Sequence, residues 1–175
     1  MKNFLLICVI INGSFFSSFA ITDEVYQKIL SGHYVDKIDE IASEVDINDA
    51  TELFSIADES TLSEDSRSTS VILLRTMKDV RLLQDFKILA EENQNKTFRF
   101  LEKNGMKLSE GFFSDLHIRN LAFRSIGMLG TDETNNYLSE YLKNFTVPEI
   151  LEQKIEKDFI DDIYVLPIAF AIGDG

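Results

Sequence analysis

Beyond residue 20, apolar residues recur three and four positions apart along almost the whole chain, the spacing that lays one stripe on one face of an α-helix. Val25, Ile29 and Leu30 open the series, Val35, Ile38, Ile41, Ala42 and Val45 form the next stripe, and Ala50, Leu53, Phe54 and Ala57 follow. A helix beginning after Thr61, with Thr61 and Glu64 spaced as a capping box, carries Val71, Leu74 and Met77. Leu82, Leu83, Phe86 and Leu89 come next. Leu116, Leu121, Ala122, Phe123, Ile126 and Leu129 mark a further helix, with Tyr137, Leu138, Tyr141 and Leu142 behind it. Pro148 suits a first helical turn, and Thr146 and Glu149 are spaced as a second capping box. No segment shows the period of two that a strand requires. The pattern predicts an all-α fold.

One stretch resists this reading. Asn93-Gln94-Asn95 is expected to interrupt a helix, a short helix is expected near Phe98 to Leu101, and Gly105 to Gly111 reads as an irregular loop ending at Phe112-Phe113. Loops between rigid helices are frequent contact sites, which makes Phe112 and Phe113 candidate partner-binding residues. The plainer reading is a connector.

The first twenty residues belong to a different kind of element. Lys2, the apolar run Phe4 to Ile11 and the small residues Ser18 and Ala20 have the layout of a cleaved secretory signal. The apolar run, broken by Asn12, Gly13 and Ser14, is too short to span a bilayer. Residues 21–175 are then expected as one helical domain, exported to the periplasm or the medium and not membrane-bound after cleavage. Cys8, the one cysteine, falls in the signal, so thiol nucleophiles and zinc-thiolate sites are excluded from that domain. Asn95-Lys96-Thr97 and Asn144-Phe145-Thr146 match the glycosylation tripeptide, a pattern that often arises by chance.

The chain carries 17 Lys+Arg against 30 Asp+Glu, a net charge of −13. That excludes a nucleic-acid binder, which needs a basic surface, and favours a basic protein partner. Candidate chemistry is sparse. No G-x-S-x-G elbow, phosphate-binding glycine loop or H-E-x-x-H helix occurs. His33 sits beside Gly32 in an expected turn, and His117 follows Ser114 and Asp115, an expected helix cap. Asp158, Asp161 and Asp162 share helical spacing, which would place three carboxylates on one face. Such a face could hold a divalent cation weakly, but in so anionic a chain it reads first as a solvated face open to a basic partner. No metal or cofactor is therefore expected, and no enzyme activity.

A repeat is more informative than any of these. Ile118 to Asp132 runs Arg119, then small and apolar residues at helical spacing, then Leu129-Gly130 and an acid, with the second helix following at once. Arg67, Ser70, Val71, Leu74 and Met77, ending in Lys78-Asp79, match it at an offset of 52. Val165, Leu166, Ala169, Ile172 and Gly173-Asp174 match at an offset of 43. This unit resembles the first helix and turn of a HEAT or armadillo-type repeat. The resemblance implies a right-handed stack of antiparallel helical hairpins, a HEAT-like α-solenoid, with an irregular helical bundle as the alternative. Such stacks are broad protein-binding surfaces. An exported acidic protein of this kind resembles, in broad type, periplasmic immunity proteins that neutralise toxins delivered by type VI secretion. The expected function is a non-enzymatic protein-binding module; the alternative is a periplasmic enzyme or small-ligand carrier with an acidic site. The C-terminal helix, apolar on nearly every face, must be covered by its own chain or by a second copy in a homodimer.

Overall fold

Helices form along most of the three-to-four stripes, although the stripe from Val35 to Val45 yields only Asp39–Ala42 among the described residues, and one helix continues where polar residues argue against it. The structure, a computed structural model, describes residues 21–32 and 37–173. The signal segment, His33 and Val35 lie outside the described residues. The helices are α1 (Asp23–Leu30), α2 (Asp39–Ala42), α3 (Ala50–Asp58), α4 (Glu64–Thr76), α5 (Leu83–Asn104), α6 (Glu110–Met128), α7 (Asp132–Lys143), α8 (Glu149–Glu152), α9 (Lys157–Ile160) and α10 (Leu166–Gly173). Short 3-10 turns precede α3 and α5, and a π-helical turn, Asp161–Val165, leads into α10. No strand occurs among the described residues, so the chain is all-helical there.

Caps fix the helix starts, and two differ from the sequence expectation. Ser63 rather than Thr61 caps α4, accepting from the Ser66 N–H at 3.2 Å, while Thr61 turns its hydroxyl to Glu59. Pro148 itself is the residue before α8, with no side-chain cap, so Thr146 and Glu149 make no capping box. Thr131, not singled out in the sequence, caps α7, with Thr134 returning the bond.

The expected break at Asn93-Gln94-Asn95 is absent. The helix α5 runs unbroken for 22 residues, and the only loop in this region is the short one between Asn104 and Glu110, with Gly111 already inside α6. A polar residue in a helix interior is tolerated when its side chain is satisfied there. Asn93 Nδ2 donates to the Leu89 carbonyl one turn back at 2.8 Å, and its Oδ1 accepts from Arg67 Nη2 at 2.8 Å. Gln94 Oε1 accepts from Arg119 Nε at 3.0 Å.

These two arginines are the largest wholly buried side chains among the described residues, 1% and 0% exposed. Arg67 also donates to the Ala57 carbonyl, the Ser114 hydroxyl and Asp115 Oδ1, the last at 2.9 Å. Arg119 has no such carboxylate contact. It donates to Asn120 Oδ1 and to the Ile163 and Tyr164 carbonyls, and its guanidinium lies 4.8 and 4.9 Å from the Phe123 and Tyr164 ring centres. One acceptor follows from the chain: Pro167 has no N–H to offer the Ile163 carbonyl, and Arg119 supplies a donor there.

The arginine and amide layer separates two apolar clusters. One gathers Val25, Ile29, Leu53, Leu74, Phe86, Phe123 and Ile126 around α1 to α7 and α10; the other gathers Phe98, Leu101, Phe112, Leu116, Leu151, Ile155 and Tyr164. Both α5 and α6 contribute to both clusters and pack on each other, and α6 also packs on α4, α7 and α10. Two glycines make this possible. At Gly127 a Cβ would lie 1.9 Å from the Ala171 carbonyl oxygen, so only glycine lets α10 approach, and Gly130 closes α6 at φ +64°.

Candidate acidic groove

The residues singled out in the sequence do not converge. Phe112 is buried in the interior, its ring 5.4 Å from Phe100, whereas Phe113 is 51% exposed. Asp158 and Asp162 are exposed, and Asp161 is bound to Lys157. Their shared face requires a continuous α-helix, whereas α9 lasts four residues and then widens to the π-helical turn, changing the angle between successive residues. Asp161 lines a cavity of about 450 Å³ under Phe145, Ile155 and Val165, which neither phenylalanine nor the other two aspartates enter. Among the described residues no three His, Cys, Asp or Glu side chains come together as a metal site. Nor does His117 stand beside a cap. Ser109 caps α6, because Ser114 and Asp115 are already committed to Arg67. His117 lies mid-helix and exposed, lining an open groove of about 460 Å³ with Leu121, Arg124 and Phe170.

A different set of side chains does converge. Thr51, Phe54, Ser55 and Asp58 of α3 face Asp85, Ile88, Leu89 and Glu92 of α5 across a groove of about 220 Å³. Each helix contributes positions i, i+3, i+4 and i+7, so the groove follows both helix axes. Its floor is apolar, with Leu89 buried, Phe54 half-buried against Phe86 at 5.1 Å, and Ile88 45% exposed. Asp85 and Glu92 stand exposed along the α5 side. Asp58 closes one end, where Lys96 Nζ reaches its Oδ1 at 2.6 Å and its carbonyl at 3.0 Å. The continuity of α5 through Asn93 holds this stripe rigid, and Asn93 donates to Asp58 as well, at 3.3 Å.

The surrounding surface is anionic. Residues 21–66 carry 13 Asp+Glu against two Lys+Arg, a net charge of −11, whereas residues 67–175 carry 17 against 14, a net of −3. One of the two cations, Lys28, is held between Glu24 and Glu44, both at 3.0 Å, and these two bonds keep its ammonium well above the usual lysine range. No family model, no curated protein and no solved structure matches this chain. The groove is thus judged on its chemistry alone. An apolar floor rimmed by carboxylates suits an apolar side chain flanked by lysines or arginines, the surface of a basic amphipathic helix. The signal was present in the sequence: Ile88 falls off the stripe of Leu82, Leu83, Phe86 and Leu89, and the acidic residues crowd into the first third of the described chain.

Proposed function

We propose that the protein is an exported, non-enzymatic binding module that captures a basic protein partner, seating an apolar side chain of that partner in the groove between α3 and α5. The observation that carries this reading is that the α3 wall of the groove belongs to the part of the chain whose net charge is −11, while Asp85 and Glu92 continue the anionic rim on α5. Charge of one sign around an apolar patch accelerates encounter and fixes orientation, while the patch supplies burial. In its narrower form the partner is a basic toxic effector and the protein an immunity protein that occupies it; that form requires a toxin gene beside this one. Export rests on the layout of residues 1–20. No described helix is long and apolar enough to cross a membrane.

The HEAT-like arrangement belongs to the same proposal. At the offset of 52, Arg67 and Arg119 are both buried, and Lys78 and Gly130 both take positive φ, at 50° and 64°. Asp79 and Thr131, next in register, each cap the helical turn that begins one residue later. The third echo lacks this ending, since Gly173 stays within α10. Self-association through α10 is a second reading, favoured by Leu166 and Phe170 standing 44% and 69% exposed. Sedimentation of the mature chain beside Phe170→Glu tests it: a dimer abolished by the substitution supports it, and a monomer in both removes it.

The groove is tested with a synthetic helical peptide carrying leucines at i, i+3, i+4 and i+7 and lysines elsewhere. Amide shifts mapped by NMR should cluster on residues 51–58 and 85–92. Binding mapped to the α6 and α10 groove instead would contradict the assignment.

A further inference from the structure

The Ile21 side chain is 4% exposed within the first apolar cluster, at the point where the signal layout places the cut. Its backbone nitrogen lies 3.5 Å from Glu52 Oε2 on α3. Glu52 is half-buried, and burial pushes its carboxyl above the ordinary glutamate range, opposed by the Ile21 N–H and reinforced by the like charges of Asp49 and Asp23. In the uncut chain this carboxylate therefore faces one long hydrogen bond from an amide and two neighbouring anions. That arrangement suits a cation, and among the described residues no basic side chain pairs with Glu52.

We infer that cleavage between Ala20 and Ile21 creates the missing cation, and that the new α-ammonium of Ile21 pairs with Glu52 to lock α1 onto α3. Water adds across the peptide bond in the signal peptidase, leaving a carboxylate on Ala20 and an ammonium on Ile21 at the position of the former amide. An α-amino group has an ordinary pKa near 7.7–8.0, so it is mostly charged at pH 7, and an adjacent carboxylate raises it further. The buried Ile21 side chain holds the nitrogen in place, so the pair needs little further ordering of side chains. Export processing would then complete a contact of the folded protein beside the acidic α3 surface. The inference rests on the processing half of the proposed function.

The test is a two-by-two comparison of chains beginning at Ile21 with either a free or an acetylated amine, each with and without Glu52→Gln. The substitution preserves shape, so all four chains are expected to fold. In the free-amine chain Glu52→Gln should reduce the folding constant about tenfold in denaturant titration. In the acetylated chain it should leave that constant unchanged or raise it, because an unpaired carboxylate with a raised pKa weakens stability as pH rises above its ordinary value. Equal losses in the two backgrounds would overturn the pair while leaving processing intact. N-terminal sequencing of the fractionated natural protein tests processing separately, and a start other than Ile21 would overturn both.

Discussion

The two regions of the protein on either side of Ser66 use charge in opposite ways. From Ile21 to Ser66 the charges are mainly anionic, numerous and mostly at the surface; beyond Ser66 the net charge is nearly balanced, and the two largest fully buried side chains among the described residues are arginines. An exposed charge interacts weakly with any one neighbour but acts at a distance on an approaching partner. A buried charge does the reverse, because removing it from water is costly unless every donor finds an acceptor. Arg67 meets that cost with Asp115, whereas Arg119 meets it with carbonyls, amides and ring faces, and desolvation brings its pKa down to about 10. It remains charged at neutral pH. Substitutions of buried and of surface charges should therefore separate cleanly, the interior ones changing stability and the surface ones changing association.

The largest effect is expected from Arg119→Ala. It leaves the Ile163 and Tyr164 carbonyls and Gln94 without their donor and opens a cavity between the two apolar clusters, so the loss should be about 4–5 kcal/mol in denaturant unfolding. Asp115→Ala strands the Arg67 guanidinium with neutral partners and should cost about 3 kcal/mol, a fall of roughly 6–12 °C in Tm for a domain of this size. A loss much smaller than that would mean that Ser114, Asn93 and the Ala57 carbonyl satisfy Arg67 alone. Gly127→Ala forces α10 away from α6 and should cost about 2–3 kcal/mol, with increased exposure of Ile168 and Ala171 to hydrogen exchange. On the surface, Asp85→Asn with Glu92→Gln should change stability by no more than about 0.5 kcal/mol yet slow association with a basic peptide several-fold.

Most of the helical fold was legible from apolar spacing, because amphipathic helices announce the face they bury. The continuity of α5 was not. Asn93 and Gln94 look like breakers until Arg67 and Arg119, 26 and 25 residues away in sequence, are known to be buried against them. Polar burial is a pairwise property, and a single sequence shows each member alone. The same holds for Ser114 and Asp115, which look like a cap and are instead ligands for an arginine. The groove is hidden for a related reason: Phe54 and Leu89 lie on the apolar stripes of their helices, and the opening between them depends on how α3 and α5 sit together.

Capture of a basic partner by the acidic groove between α3 and α5 is tested most directly by association kinetics across a salt series. The lysine and leucine peptide should bind the mature protein with an association rate that falls at least tenfold between about 0.02 and 0.5 M salt, as screening shortens from roughly 20 Å to a few ångströms. Ile88→Lys, which places a cation in the groove, should weaken binding at every salt concentration. An association rate indifferent to salt, or one unchanged by Ile88→Lys, would contradict the account.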